Sequence, residues 1–227
     1  MLDERLDEDE LMDDPALPPA TYQAVLRDLA SVNRVTLAHR PTLNFLHHAL
    51  KGRRSFTLLD VGFGQGDMLR AIARWAASRG IEAKLTGIDL NPGSAPAARA
   101  ATDAALGIDY RTGDYRDLET GFDFVVSSLV AHHMSHDQLL GFLRFMDSSV
   151  GTGWFINDLH RHAFSYYGYP LLAQLMGWHP IVQMDGQTSI ARSFRPAEWH
   201  ALLAEAGISG ARIQRFFPFR LCVSQIR

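Results

Sequence analysis

The chain has 227 residues, 47% of them hydrophobic, one cysteine and a formal net charge of −3. That is enough apolar material for one α/β domain with a cap. A lone Cys222, in a strand-like run, excludes disulfides, a cysteine-rich metal site and a cysteine nucleophile, and a pI near 6.3 with no basic stripe disfavours a nucleic-acid substrate.

Residues 1–14 hold eight acids (Asp3, Glu4, Asp7, Glu8, Asp9, Glu10, Asp13 and Asp14) against Arg5, so the rest of the chain is about +4. Residues 1–19 are expected to form an acidic, partly flexible leader, with a helix packed over the site as the alternative. No apolar run reaches the roughly 18–20 residues of a membrane span. The acidic start does not suit a secretory signal. A cytoplasmic bacterial protein is expected, the 20 arginines against 2 lysines pointing to a GC-rich genome.

After Leu17-Pro18-Pro19, Thr21 is expected to cap a helix with Val25, Leu26, Leu29 and Val32 on its apolar face. A second helix is expected after Pro41, with Leu43, Leu46, His47 and Leu50 on one face. Then strands and helices alternate: strand 56–61, helix 67–79, strand 83–89, an alanine-rich helix near 95–106, strands 108–112 and 122–128. Ser135 and Gln138 have the spacing of a capping box, and strand 154–157 follows. Such alternation predicts a parallel sheet with right-handed crossovers. Residues 160–190 are too aromatic for a simple crossover and are read as a substrate lid. Helix 196–206 and a hairpin, Arg212–Phe217 and Arg220–Ser224, close the chain, making 20–227 one domain.

The sharpest signal is Asp60-Val61-Gly62-Phe63-Gly64-Gln65-Gly66-Asp67, between the first strand and its helix. A dinucleotide fingerprint has its third glycine three places after the second, where Asp67 stands here. The acid two places before the first glycine suits an ammonium better than a pyrophosphate. Asp89, 29 residues on, ends the second strand and suits ribose hydroxyls.

With Gly113-Asp114, Phe122–Ser128 and Arg195-Pro196-Ala197-Glu198-Trp199, these motifs resemble those of class I S-adenosylmethionine-dependent methyltransferases over roughly residues 30–227. The resemblance implies a Rossmann-like α/β fold: seven mostly parallel strands, a C-terminal antiparallel hairpin, N-terminal helices and an inserted helical lid. It implies S-adenosylmethionine as methyl donor, leaving S-adenosylhomocysteine. Asp60 is expected at the ammonium, Gly62, Gly64 and Gly66 at the close backbone approach, and Asp89 at the ribose. Leu90, Asp114 and Tyr115 are expected around the adenine, Ser128 and Leu129 beside the methionine part, and Arg34 at its carboxylate.

Asn157-Asp158-Leu159-His160-Arg161 resembles a run in small-molecule methyltransferases related to the ubiquinone/menaquinone type. A hydroxyl acceptor gains from a base, and histidine is the usual one near neutral pH. His133 or His160 is therefore expected as the base and Asp158 as its orienting partner, with His132, His162, Tyr166, Tyr167 and Trp178 around the acceptor. No metal is expected, since the acidic set of catechol-type enzymes is incomplete. The expectation is O-methylation of a phenolic or enolic hydroxyl in quinone or secondary-metabolite synthesis. The alternatives are C-methylation of a quinol or enol, a non-catalytic methyltransferase-like partner, and a nicotinamide-dependent oxidoreductase. Oligomeric state is left open.

Overall fold

The order of the strands decides where a ligand can sit, and the computed structural model, describing residues 2–118 and 121–227, gives that order. Seven strands form one sheet: β1 (Ser55–Val61), β2 (Glu82–Asp89), β3 (Asp109–Thr112), β4 (Phe122–Ser128), β5 (Val150–Leu159), β6 (Arg212–Phe216) and β7 (Arg220–Ile226). They lie in the order β3-β2-β1-β4-β5-β7-β6. Strands β1 to β5 pair in parallel, and β7 runs antiparallel to both β5 and β6. The order reverses between β1 and β4, and a crevice opens beyond the carboxyl ends of strands at such a point.

Among the described residues, eight α-helices surround the sheet: α1 (Pro19–Val35), α2 (His39–Ala49), α3 (Asp67–Ala77), α4 (Ser94–Ala100), α5 (His136–Ser149), α6 (Ala163–Leu175), α7 (Pro180–Arg192) and α8 (Pro196–Ala206). Successive strand residues face opposite sides, and the two cores follow this period. Leu58, Leu85, Phe124 and Phe155 join Phe45, Leu69 and Ile72 on one face. Leu59, Val125, Trp154 and Ile156 join Leu139, Leu143, Trp199 and Leu202 on the other. A third cluster holds Val25, Ala173, Trp178 and Val182, where α6 and α7 meet α1.

Several boundaries differ from expectation. Helix α1 starts at Pro19, not after Thr21, because proline has helical φ and lacks an N–H that a first turn leaves unused. Helix α2 starts at His39, with Pro41 inside its first turn, where no intrahelical acceptor is needed. It buries Thr42, Phe45, Leu46 and Ala49, and His47 is exposed. Strand β5 runs over the ten residues Val150–Leu159, longer than the expected 154–157. The alanine-rich helix stops at Ala100. The Ser135–Gln138 capping box is present.

The leader lies against the domain. The Arg5 guanidinium donates to the carbonyls of Arg192, His132 and Met134 at 2.7–2.9 Å. Asp185 of α7 accepts the N–H groups of Leu11 and Met12 at 2.9 and 3.0 Å. Glu10 is buried.

Candidate active site

A cavity of about 570 Å³ opens at the carboxyl ends of β1 and β4, walled also by α1, α6 and the leader. Asp60 lies one residue before the end of β1 and is 1% exposed. Neither of its carboxylate oxygens has a hydrogen-bond partner. Burial, with Asp67 and Asp89 nearby, holds its pKa well above the usual carboxylate range. A buried, unpaired carboxylate is costly, and a cationic ligand would supply the missing partner.

Asp89 ends β2. It accepts the Gly64 N–H and the Asn91 N–H, each at 2.9 Å. Burial raises its pKa despite these bonds. The glycines differ in duty. Gly64 lines the cavity with φ +54°, and a Cβ there would meet Leu26 in ordinary contact at 3.7 Å. Gly66 adopts φ +75° and lies outside the cavity wall, since a Cβ there would run into the Tyr110 ring. Gly62 lines the cavity with its own Cβ space filled by Val130.

Leu90, Tyr115, Ser128 and Leu129 also line the cavity. Leu129 adopts φ +62°, a left-handed conformation that costs a leucine on the order of 1–3 kcal/mol. Its N–H donates to the Asn157 carbonyl at 2.9 Å. Asp114 stands outside the lining, paired with Arg116 at 2.5 Å. Arg34 is exposed and likewise outside it. The guanidinium at the cavity belongs instead to Arg220 of β7, 3% exposed, with Nη1 lacking a partner. Nothing in the sequence distinguished Arg220 from other arginines in strand-like runs.

The histidines divide. His132 is 2% exposed, and its Nδ1 lies 2.7 Å from Asp158 Oδ1. Its own N–H donates to Asp158 Oδ2 at 3.0 Å. Burial opposes a charge on His132, but Asp158 and Glu10 outweigh it and raise the pKa to about 9. His133 borders the same cavity, and its Nδ1 lies 2.8 Å from Asp13 Oδ2. Glu10 stands between the two rings, Oε1 lying 3.4 Å from His132 Nε2 and 3.8 Å from His133 Nε2.

His160 and His162 lie outside the cavity lining. Burial, with Arg215 and His162 close by, pushes the His160 pKa down to about 4. His162 caps α6, accepting the Phe164 N–H at 3.2 Å. Asp158 therefore orients His132 rather than His160. Of the expected aromatic residues, Trp178 is buried with its Nε1 donating to Ser31 at 3.3 Å, Tyr167 is 67% exposed, and Tyr166 lies off the lining. Phe164, Tyr169 and Leu172 take that place. The sequence displays aromatic content, but the helical phase that selects these three depends on where α6 begins.

Residues 58–153 match a family model described as a methyltransferase domain. No curated protein matches the chain by sequence. Among solved structures, the plantazolicin methyltransferase BpumL with S-adenosylhomocysteine is 15% identical at a TM-score of 0.68, over 95% of this chain and 91% of that one. A SAM-dependent methyltransferase from Aquifex aeolicus is 16% identical at 0.62, over 92% and 98%. Magnesium protoporphyrin IX methyltransferase from Synechocystis PCC 6803, also with S-adenosylhomocysteine, is 16% identical at 0.57, over 84% of each chain. The sheet order is that of the class I methyltransferase fold, and the family match covers residues 58–153.

Proposed function

We propose that this chain is a class I S-adenosylmethionine-dependent methyltransferase and that it methylates a phenolic or enolic hydroxyl of a small, largely apolar acceptor. One observation carries the reading: the unpaired carboxylate of Asp60 and the Glu10–His132–His133 cluster border a single cavity. S-adenosylmethionine, when bound, supplies an electrophilic methyl group on a sulfonium.

The residues present fit that donor. Asp60 offers its two vacant acceptors to the ammonium, Gly64 at the cavity wall has no Cβ to hinder backbone approach, and Asp89 retains lone pairs for the ribose. Leu90 and Tyr115 offer apolar surface to the adenine. Arg220, with a vacant Nη1, takes the carboxylate role expected of Arg34. On the acceptor side, α6 lays Phe164, Tyr169 and Leu172 over the cavity, the lid role expected of 160–190. Holding the acceptor in line with the methyl group is the main contribution of such walls.

A neutral phenol with a pKa near 10 is a weak nucleophile at neutral pH. The cluster at the acceptor end supplies its activation, with His133 at the cavity wall and His132 fixed behind it by Asp158. Composition favours a bacterial, cytoplasmic enzyme, and among the described residues no helix is long and apolar enough to cross a membrane. The test is methyl transfer from labelled S-adenosylmethionine to a panel of substituted phenols and enols. Labelled methyl ethers support the reading. Label on carbon alone would assign C-methylation, and no product with any member despite S-adenosylhomocysteine binding would remove this acceptor class.

A further inference from the structure

The Glu10 side chain is 2% exposed, yet Oε1 has no hydrogen-bond partner. It lies 3.4 Å from His132 Nε2. We infer that Glu10, His132 and His133 form a binding site for a divalent transition-metal cation at the acceptor end of the cavity. The inference rests on the methyltransferase reading and names the agent that activates the acceptor hydroxyl.

Three features support it. The ligand atoms lie within 4.8 Å of one another, and the Glu10–histidine separations are 3.4 and 3.8 Å. A cation with bonds of about 2.1 Å holds its ligand atoms roughly 3.0–3.5 Å apart, so the two Glu10–histidine separations need shifts of only tenths of an ångström. Second, each imidazole has its other ring nitrogen against a carboxylate: His132 Nδ1 at 2.7 Å from Asp158, His133 Nδ1 at 2.8 Å from Asp13. That carboxylate–histidine pairing leaves Nε2 as the free ligand atom and increases its basicity. Third, the surroundings are rich in acceptor oxygens: three carboxylates, Glu10, Asp13 and Asp158, face the two imidazoles.

Two imidazoles and one carboxylate suit zinc, cobalt, iron or manganese better than magnesium or calcium. All three side chains border the cavity, so the remaining coordination positions face the acceptor. A cation there lowers the pKa of an acceptor hydroxyl that coordinates it. The hydroxyl proton passes to solvent water. The oxygen then forms a bond to the methyl carbon as the C–S bond breaks and its electron pair returns to sulfur.

The test uses the full chain, stripped with a chelator and titrated with Co²⁺ by calorimetry and visible absorption, with S-adenosylhomocysteine titrated separately. We expect one Co²⁺ per chain with ligand-field bands, an affinity about tenfold or more weaker in Glu10→Gln and in His133→Gln, and unchanged Co²⁺ binding in His136→Ala. Both cluster variants should retain S-adenosylhomocysteine binding, which shows that they are folded. Absence of saturable Co²⁺ binding, or equal binding by wild type and both cluster variants, overturns the metal site. If the cation fails to bind while S-adenosylhomocysteine still binds, the methyltransferase reading survives. If wild type binds the cation and not S-adenosylhomocysteine, that reading fails and the metal site stands.

Discussion

Asp158 at the end of β5 holds His132, from the loop after β4, through both its side chain and its backbone N–H, at 2.7 and 3.0 Å. Adjacent parallel strands place the two residues side by side, 26 positions apart in sequence. Neither is exposed beyond 2%. The pair anchors the loop that presents His133 to the cavity.

Removing that carboxylate should be costly. Asp158→Asn on chelator-treated protein should lose about 3 kcal/mol, the scale for orphaning one partner of a buried ion pair. Urea denaturation measures it. Wild-type stability in this variant would mean that the pair does not hold the loop.

The donor end has its own prediction. Asp89→Ala should weaken S-adenosylhomocysteine binding by roughly 1–3 kcal/mol, the range for a hydrogen bond to a charged acceptor. Part of any loss of stability will come from the Gly64 and Asn91 N–H groups that Asp89 also receives. Asp89→Asn separates the two effects, since it keeps an acceptor oxygen. Unchanged affinity in Asp89→Ala would place the ribose elsewhere.

Cofactor affinity should depend on pH through Asp60. In the free protein its pKa is raised well above the ordinary carboxylate range by burial and by Asp67 and Asp89. An ammonium favours the ionised carboxylate, so binding expels a proton. Affinity for S-adenosylhomocysteine should therefore rise as pH increases through that raised pKa, and fall below it. Calorimetry in buffers of different ionisation enthalpy counts the proton. Asp60→Asn should bind more weakly and lose this proton release; a release that persists in Asp60→Asn would assign it to another group.

The acceptor wall separates residues that the sequence alone could not. Phe164→Ala should raise the KM for the acceptor and leave S-adenosylhomocysteine affinity near wild type, whereas Tyr167→Ala, at an exposed site off the lining, should change neither. Equal effects from both substitutions would mean that α6 moves as a unit over the acceptor.

The fold was largely legible because its signals are local. The glycine turn after β1, the acids at the ends of β1 and β2, the capping box of α5 and the C-terminal hairpin each follow from short-range chemistry. Long-range placement was not legible. Glu10 and Asp13 read as members of a solvated acidic run, and only the anchoring of the leader by Arg5 and Asp185 brings them to His132 and His133. His160 and His162 follow the expected strand 154–157, but both lie off the cavity lining, His162 serving as a helix cap. Arg34 is exposed and Arg220 is buried at the cavity for the same reason: burial is a property of the packed sheet, not of the residue's neighbours in sequence.

Activation of the acceptor can be read from its acidity. His133→Ala should lower turnover by roughly 10²–10⁴-fold for phenols of pKa near 10, with S-adenosylmethionine affinity little changed. The deficit should shrink across a series of increasingly acidic phenols, because an oxygen already ionised needs no activation. This slope tests the account most directly. A deficit that diminishes with acceptor pKa is the predicted result; an equal deficit for every acceptor, or full activity in His133→Ala, would contradict activation by the cluster.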